Sequence, residues 1–550
     1  MLQKSACSAF SELRIQILQG ATAVRGNMHI LMVAAENDAL AGGKVGGLGD
    51  VVRDLPLALA EQGHTVTVIS PGYGVLAANE RAEAVTQFSA PFAGGHETLE
   101  LFRVAASKDS HPEVTHLVLE HWLFSAGGVG AIYCSDHYGP FATDAHKFAL
   151  FCSAVCEAMV QKVLPPVDVI HCHDWHSANV LILREYAPAY RSLKSARTVY
   201  SIHNLSIQGV RPLQGDDSSL EGWFPGLQYD VHQVGDHYSH DCVNFMRAGI
   251  RLADKVNTVS PTYAEEILRP SHWEEAVVGG EGLESDLLQA KAEGRLYGIL
   301  NGCDYRHPLP QTDSKALYQL MDECLDKWAL PSIRNSHVHS ASYYFALRTL
   351  NRWRRKRNAS IPVLLSISRM SYQKLGMLIA PFGGHTVLEE LLSNLREGVF
   401  IMQGSGDAEY DQLFSRCMAR FDNFLFLNGY SEPLANHLYN YADIFLMPSI
   451  YEPCGISQML AMRGGMPCIA HATGGLKDTV IDGRNGFTFS GEDMSSKSAA
   501  FINTTLQAVS LFREDPVAWR KLQTGALESR FEWQLAAKQY EHLLYSDRQS

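Results

Sequence analysis

Short runs of apolar residues, each ending in polar residues, alternate along the chain with helical patterns. The first run spans residues 28–34 and precedes a glycine-rich stretch, an amphipathic helix over residues 50–62 and a second apolar run over residues 64–70. Short strands that are apolar on both faces and separated by helices are typical of parallel sheets. The pattern therefore predicts a β-α-β unit that opens a doubly wound domain.

The same pattern continues through both halves of the chain. We predict further strands over residues 167–171, 197–203 and 255–260, and then over residues 362–368, 398–402, 444–447 and 467–470. The predicted fold class is α/β, with two doubly wound Rossmann-like domains that meet near residue 297. Such domains bind ligands at the carboxyl ends of their strands, so we expect the site in the cleft between them.

A polar, histidine-rich segment over residues 305–360 separates the two sets of strands. It ends in a basic run over residues 352–357. Charge runs in a helical pattern usually face solvent. We therefore predict a solvated helix face there.

Composition narrows the possible partners. The 550 residues include 46 Lys+Arg and 59 Asp+Glu, a formal net charge of −13, which disfavours binding to nucleic acid or anionic membrane. The 11 cysteines form no C-x-x-C pair, so we expect free thiols in a cytoplasmic setting. Residues 1–27 lack the apolar core of a secretory signal, and we expect them to be a disordered extension, with a start-site artefact as the alternative.

A glycine-rich loop with Lys44, Gly46, Gly47 and Asp50 follows the first predicted strand. Glycines let a backbone approach a ligand, and free N–H groups where a helix begins attract anions. The spacing differs from G-x-G-x-x-G, which disfavours a dinucleotide cofactor. A plain strand-to-helix turn is the equal alternative at this point.

Two more predicted strands of the first half end in polar side chains. His173 and Asp174 follow one strand, and His203 and Asn204 follow the next. Several polar groups at a solvent-accessible strand end indicate a site. The alternative is a zinc site formed by His171, Cys172, His173 and His176. We expect no metal there, because consecutive strand residues point to opposite faces and do not converge on one ion.

In the second half, Arg369 and Lys374 follow the strand predicted over residues 362–368. Two cations at a strand end of an acidic protein suit a phosphate or a diphosphate. A surface ion pair is the alternative.

A carboxylate and two glycine-rich turns complete this set. Glu452 follows a predicted strand and precedes Cys454 and Gly455, and Gly474 and Gly475 lead into a later helix. The glycines supply a second set of backbone donors. The chain contains neither G-x-S-x-G nor G-x-x-x-x-G-K-[ST], which excludes serine-hydrolase and P-loop sites of those types.

Together, these strings resemble the bacterial glycogen synthase and plant starch synthase family of retaining glucosyltransferases, over about residues 28–544. The matching strings are K-V-G-G-L at 44–48, H-D-W-H at 173–176, H-N-L at 203–205, N-G at 301–302, S-R at 368–369 with Lys374, Y-E-P-C-G at 451–455 and T-G-G-L at 473–476. Each string is modest alone, but their shared order and spacing make chance agreement improbable.

The resemblance implies the GT-B architecture, in which two Rossmann-like domains face each other across a cleft. It implies an N-terminal extension over residues 1–27, an acceptor-side domain over 28–297, a nucleotide-sugar domain over 298–525 and a C-terminal segment over 526–550 that crosses back to the first domain. The implied reaction transfers glucose from ADP-glucose to the non-reducing 4-OH of an α-1,4-glucan such as glycogen, with retention of configuration and without cofactor or metal.

The resemblance also implies roles for residues. Arg369 and Lys374 would hold the diphosphate, Glu452 would bind the sugar hydroxyls of the donor, and His203 would lie beside the anomeric carbon with Asp174 in the same pocket. The substrate-binding set that it implies is Lys44, Gly46, Gly47, Asp50, Tyr138, Asn204, Asn301, Tyr430, Cys454, Gly455, Gly474 and Gly475, with Tyr430 stacking on the adenine.

Retaining glycosidases use a nucleophilic carboxylate, and we find no convincing nucleophile here. The family resemblance instead suggests front-face attack guided by the leaving phosphate. Val45 stands where the family commonly has Thr, but no matched charged residue is replaced. The alternatives are another GT-B nucleotide-sugar glucosyltransferase and a catalytically silent glucan-binding protein, although a binding module has no need of a diphosphate clamp.

Overall fold

The structure is a computed structural model that describes residues 26–78, 81–137, 139–335, 337–356 and 361–546. Two mostly parallel sheets, one in each half of the chain, organise these residues. Within the described residues, no helix is both long and apolar enough to cross a membrane. The ten described cysteines are all free thiols, as their spacing predicted.

The first sheet has nine strands in the order β11-β10-β7-β6-β1-β2-β5-β4-β3 within the described chain. The strands of the first half are β1 His29–Val33, β2 Thr65–Pro71, β3 Ala82–Phe92, β4 Gly95–Val104, β5 Val114–Glu120, β6 Val169–His173, β7 Arg197–Ile202, β8 Arg211–Pro212, β9 Cys242–Val243, β10 Lys255–Thr258 and β11 Leu296–Gly298. Pairing is parallel from β11 to β5, whereas β3 and β4 add an antiparallel edge.

Strand β1 lies in the middle of this sheet and is buried on both faces. Its parallel register pairs Leu31 with Thr67 of β2 and with Ile170 of β6. Leu31 packs into the cluster on one face of the sheet, whereas Met32 packs into the cluster on the other. The uninterrupted apolar run therefore reflects a central strand with helices on both sides.

Helices connect the parallel strands of the first half and form the outer layers. They are α1 Gly47–Ala60, α2 Ala142–Val160, α3 Ala178–Tyr186, α4 Leu220–Trp223, α5 Val231–Val234, α6 Phe245–Leu252, α7 Pro261–Glu266 and α8 Glu284–Ala292.

The second sheet has six parallel strands in the order β16-β15-β12-β17-β18-β19 within the described chain. The strands of the second half are β12 Val363–Ile367, β13 Pro381–Phe382, β14 His385–Thr386, β15 Val399–Gly404, β16 Phe424–Asn428, β17 Ile444–Met447, β18 Cys468–His471 and β19 Gly486–Phe489. The helices are α9 Ser314–Asn335, α10 His337–Lys356, α11 Tyr372–Ile379, α12 Val387–Asn394, α13 Ala408–Arg420, α14 Glu432–Tyr441, α15 Ser457–Arg463, α16 Gly474–Thr479, α17 Met494–Glu514, α18 Pro516–Glu528 and α19 Trp533–Gln539.

The histidine-rich segment forms the helices α9 and α10. Arg352 and Arg354, from its basic run, pair with Asp422 and Asp322 at partly exposed positions. Other side chains of the two helices, Leu317, Leu350 and Trp353 among them, enter the core of the second half. The segment therefore carries a charged surface, as predicted, and also extends the core, which its polar composition concealed.

The end of the chain returns to the first sheet. Helix α19 and the π-helical turn Tyr540–Tyr545 share a buried cluster with Ile30, Val68 and α1. The chain crosses between the two halves twice: the outgoing crossing lies near Cys303 and the returning crossing lies near Glu532. The two crossings lie side by side, because Cys303 forms a parallel bridge with Glu532 and its N–H donates to the Phe531 carbonyl at 2.6 Å.

Each sheet reverses its strand order at one point. The strands that follow β1 are added on one side up to β5, and β6 then begins the other side. In the second sheet, β15 and β16 lie on one side of β12, and β17 to β19 lie on the other. Loops that leave the carboxyl ends of two such neighbouring strands diverge and leave a crevice. Each sheet therefore offers one crevice at its switch point.

Candidate active site

The glycine-rich loop after β1 holds an internal carboxylate. Glu36 is 3% exposed, and its Oε2 accepts hydrogen bonds from the N–H groups of Val45 at 2.9 Å and Gly46 at 2.6 Å. Tyr133 donates its hydroxyl to the other Glu36 oxygen at 2.9 Å. The loop therefore presents N–H donors to an anion, and Glu36 is the anion that they bind in this structure. Sequence reasoning missed Glu36, although a carboxylate at a strand end beside glycines is a signal for it.

Lys44 and Asp50 lie together at the start of α1. The Lys44 ammonium donates to Asp50 at 2.5 Å and lies 3.7 Å from Asp38. Burial opposes the charged form, but the two carboxylates outweigh it and raise the pKa of Lys44. Gly47 begins α1 in the same loop.

Asp174 lies directly after β6, in the crevice of the first sheet. Its backbone has φ 54° and ψ −178°, a positive-φ conformation that residues other than glycine rarely adopt. Its carboxylate accepts the His203 backbone N–H at 2.7 Å. Burial raises the pKa of Asp174 to about 7, although hydrogen bonds from the backbones of His203 and Asn204 oppose this rise.

The histidines of the first sheet contact one another. The rings of His171 and His173 stack with centroids 4.1 Å apart, and His173 Nδ1 lies 3.0 Å from His203 Nε2. Burial lowers the pKa of His171 and of His203 to about 3 each, so both rings are neutral at pH 7. Cys172 lies between the two stacked histidines in the sequence of the strand. Its thiol contacts a different neighbour, Ser177.

Arg369 and Lys374 follow β12, and Glu452 follows β17, so all three residues follow the strands that flank the second switch point. Lys374 donates to both oxygens of Glu452, at 2.6 and 2.5 Å, and Ser449 donates to Glu452 at 3.0 Å. Arg369 is exposed and reaches toward the first half, with its Nη2 4.0 Å from where a Cβ on Gly46 would lie. The two crevices therefore face each other.

Two glycines allow the α16 turn to press against the Glu452 loop. A Cβ at Gly474 would lie 1.9 Å from the Glu452 carbonyl oxygen, and one at Gly475 would lie 2.3 Å from that of Cys454. The Gly474 N–H donates to the carboxylate of Glu266, at 3.1 and 3.0 Å. Gly455 also belongs to this packed turn, with φ 75°.

The remaining predicted residues border the same space. Tyr430 follows β16 and is 54% exposed, and Asn204 donates to Gln373 across the cleft at 3.5 Å. Asn301 is buried, and within the described residues its Oδ1 has no hydrogen-bond partner. Tyr138 lies outside the described residues.

Direct contacts join the two halves around the cleft. Ser206 and Tyr451 share a hydrogen bond of 2.7 Å between their hydroxyls. Thr262 donates its hydroxyl to Asp478 at 2.6 Å. Lys108 forms an ion pair with Glu432, beside Tyr430, at 3.0 Å.

One group within the described residues has the geometry of a metal site: Asp109, Asp304 and His307. Arg306 lies among them and pairs with both Asp109 and Asp304. Its positive charge already compensates the carboxylates, so the group is organised as an ion-pair network.

Family models match both halves of the chain. A starch synthase catalytic domain model matches residues 29–289, and a model of glycosyl transferases group 1 matches residues 361–508. The chain is 34% identical to a glycogen synthase of Desulfitobacterium hafniense, over 92% of this chain and 97% of that protein. It is 34% identical to a glycogen synthase of Streptococcus sanguinis, over 94% of this chain and 100% of that protein.

Solved structures agree with these matches. The catalytic domain of starch synthase IV from Arabidopsis thaliana, determined with ADP and acarbose, superposes with a TM-score of 0.72 and 27% identity, over 94% of this chain and 99% of that one. A sucrose-phosphate synthase from Thermosynechococcus elongatus, with a TM-score of 0.54, 17% identity and coverage of 94% and 98%, shares the fold. The predicted GT-B architecture is thereby confirmed, and the chain belongs to the glycogen synthase and starch synthase family of glucosyltransferases.

Proposed function

We propose that this glucosyltransferase moves glucose from ADP-glucose to the non-reducing 4-OH of an α-1,4-glucan, with retention of configuration. The observation that carries the proposal is the pair of facing crevices, in which Arg369, Lys374 and Glu452 lie opposite the glycine-rich loop of Gly46. Cations, a buried carboxylate and backbone donors together suit a sugar diphosphate. The starch synthase that superposes on this chain was determined with ADP and acarbose, which supports the same ligand classes here.

In this proposal Arg369 and Lys374 hold the diphosphate and offset the charge that develops as ADP leaves. Glu452 aligns the donor hydroxyls. Because Lys374 and Glu452 bind each other in this structure, donor binding exchanges their ion pair for contacts with phosphate and sugar. Lys374 thereby exchanges one anion for another and Glu452 accepts hydrogen bonds from hydroxyls, so neither buried group is left without a partner, which limits the cost of a buried site.

Cleavage of the bond between C1 and the phosphate oxygen gives a transition state like an oxocarbenium ion. The acceptor 4-OH attacks C1 from the face that ADP leaves, and its proton passes to the departing phosphate. His203 lies beside C1, held by the hydrogen bond between its backbone N–H and Asp174. Asn301, whose buried Oδ1 is unpartnered in the described chain, supplies an acceptor for a sugar hydroxyl.

The other predicted residues bind the rest of the donor. The turns of Gly46–Gly47, Gly455 and Gly474–Gly475 and the neighbouring Cys454 bring backbone to phosphate and glucose, while Tyr430, Tyr138 and Asn204 contribute side chains. Lys44 and Asp50 hold the loop by their ion pair. The carboxylates of Glu36 and Glu266 accept hydrogen bonds from N–H groups of two of these turns. A bound ligand therefore either displaces these carboxylates or shares the N–H groups with them.

We also propose the predicted division of the chain at residues 297/298 and 525/526. The two neighbouring crossings near Cys303 and Glu532 support it, since they lie a few residues beyond each boundary. A disordered extension over residues 1–27 and a cytoplasmic location remain predictions, and residues 1–25 lie outside the described part of the chain.

The first prediction concerns the nucleotide. ADP-glucose should support transfer to glycogen with a kcat/KM at least about tenfold above that of UDP-glucose, a difference of about 1.4 kcal/mol, because Tyr430 offers a wide face to adenine. Steady-state rates with both donors measure the ratio, and Tyr430→Ala should reduce it. Tyr344→Ala is the control, since Tyr344 is another exposed tyrosine. Equal rates with both donors would refute the donor assignment, and no transfer from either would favour the silent glucan binder.

The second prediction is metal independence. Arg369 and Lys374 do the work that Mg²⁺ does in many nucleotide enzymes, so exhaustive dialysis against a chelator should leave the transfer rate unchanged. Activity that disappears on dialysis and returns with Mg²⁺ or Mn²⁺ would contradict this expectation. Asp304→Asn would then show whether the Asp109 group holds the ion.

The third prediction separates sugar from phosphate contacts. Glu452→Gln should lower kcat by about 30- to 1,000-fold, yet leave ADP affinity unchanged or increased, because ADP carries no glucose and Lys374 is released from its ion pair. Arg369→Ala and Lys374→Ala should weaken ADP and lower kcat/KM non-additively, since both cations bear on one leaving group.

Calorimetry with ADP beside steady-state kinetics distinguishes these outcomes. Lys521→Ala removes a cation on the exposed side of α18 and serves as the charge-matched control. If Glu452→Gln weakened ADP as much as Lys374→Ala does, the two roles would be assigned wrongly.

The fourth prediction follows from the buried Asp174 carboxyl. Its pKa is raised to about 7 from 3.8, so the folded protein retains a proton that the unfolded chain releases between about pH 4 and pH 7. The contribution of Asp174 to the free energy of unfolding therefore falls as pH rises through this window, by up to about 4 kcal/mol. Denaturant unfolding of wild type and Asp174→Asn should show the difference in stability changing in this direction. A constant difference from pH 4 to pH 8 would show that Asp174 is ionised throughout.

A further inference from the structure

A directed chain of hydrogen bonds runs from the C-terminal segment to the strand ends of the first sheet. Ser201 donates its hydroxyl to Asn257 Oδ1 at 2.5 Å, and Asn257 donates its amide to the Tyr540 hydroxyl at 3.1 Å. All three side chains are fully buried. The hydrogen of Ser201 is therefore committed, and any further partner must donate to its oxygen.

His171 is that partner. Its Nε2 lies 2.6 Å from Ser201 Oγ, and its Nδ1 lies 2.9 Å from the Tyr545 hydroxyl. Since the ring is neutral, it has one N–H and one acceptor nitrogen. Nε2 must carry the proton and donate to Ser201, so Nδ1 accepts from Tyr545. Both ring nitrogens are thus used, and His171 is fixed in orientation.

His173 stacks on this fixed ring, with an angle of 29° between the two planes. Its Nδ1 contacts His203 Nε2 at 3.0 Å, whereas its Nε2 is buried and has no hydrogen-bond partner in the described chain. Burial lowers the pKa of His173 well below its usual range, so this ring is neutral too. The proton of His173 can lie on only one of its two nitrogens.

The two possible positions of the His173 proton differ in free energy. A proton on Nε2 would leave an N–H group buried without an acceptor, which is rare and unfavourable in proteins. A proton on Nδ1 leaves only a lone pair unused and donates to His203. If His173 donates from Nδ1, His203 Nε2 must be the acceptor. The proton of the neutral His203 then lies on its Nδ1, the nitrogen that does not face His173. His203 then has a donor to offer to the cleft.

We infer that His173 is a positioning residue that holds His203 in the Nδ1–H tautomer, so that His203 donates a hydrogen bond to an oxygen of the bound sugar. This inference rests on the proposed function only for the identity of that ligand. The stacked His171, tied to Tyr545, fixes the plane of His173. The C-terminal segment therefore supports the reacting centre through three histidines.

Nitrogen-15 NMR of the full-length chain, labelled in its histidine rings, tests the tautomer directly. Long-range proton–nitrogen correlations distinguish a protonated from an unprotonated ring nitrogen, and loss of signals in His203→Asn and His173→Asn assigns the two rings. We expect His203 protonated at Nδ1 and unprotonated at Nε2 in the wild-type protein. The reverse pattern would overturn the inference, whatever the enzyme's activity.

Substitutions test the consequence for transfer. His173→Leu removes the donor and should lower kcat about 100-fold, with KM for ADP-glucose little changed, and should release His203 into a mixture of tautomers. His173→Asn keeps an N–H donor at the position of Nδ1 and should retain activity within about tenfold of wild type. His176→Leu removes another buried imidazole from the same turn without touching His203, so its His203 signals should remain those of the wild type.

The outcomes separate the two proposals. Equal kcat values for His173→Leu and His173→Asn would overturn the positioning role. An Nδ1–H tautomer in a protein that fails to use ADP-glucose would leave this inference standing and refute the donor assignment. If His173→Leu does not fold, the wild-type spectrum still decides, since it needs no substitution.

Discussion

Both crevices of this enzyme exist because each parallel sheet reverses its strand order once. In the first sheet the reversal lies between β1 and β6, and in the second it lies between β12 and β17. Helices that follow the two strands pack on opposite faces, so their leading loops separate and expose the strand ends. Lys44 and Asp174 follow the strands at one reversal, and Arg369 and Glu452 follow the strands at the other.

Electrostatic compensation within the site follows from that arrangement. Groups gathered to bind a charged sugar nucleotide would repel one another or remain unsatisfied in a dry cleft. Instead, Lys374 binds Glu452, and Glu36 accepts from the loop of Gly46. Lys374, Glu452 and the Gly46 N–H therefore already have hydrogen-bonding partners within the protein. Affinity is therefore a difference between two sets of contacts, and weakening an internal contact can strengthen binding.

The sequence was sufficient to predict the central parallel strands and the residues at their ends, because central strands are apolar throughout and polar groups at their ends stand out. It did not reveal β3 and β4, whose half-exposed antiparallel pattern is weaker, or β5, β11, β16 and β19, the outermost parallel strands of the two sheets. Pairings between distant residues were also out of reach. Glu36 with Gly46 and Lys374 with Glu452 depend on side-chain direction and on the approach of separate loops, which motif order does not encode.

The C-terminal segment connects these levels of structure. Trp533 packs so closely on Gly302 that a Cβ there would lie 2.5 Å from its ring, which keeps the outgoing and returning crossings together. Beyond this point, the hydroxyls of Tyr540 and Tyr545 enter the first sheet and satisfy Asn257 and His171. A segment that had only to cover apolar surface would not need these buried hydroxyls, because burying a polar group is favourable only when it finds a partner. The packing of the C-terminal segment is therefore linked, through the hydroxyls of Tyr540 and Tyr545, to the orientation of side chains at the reacting centre.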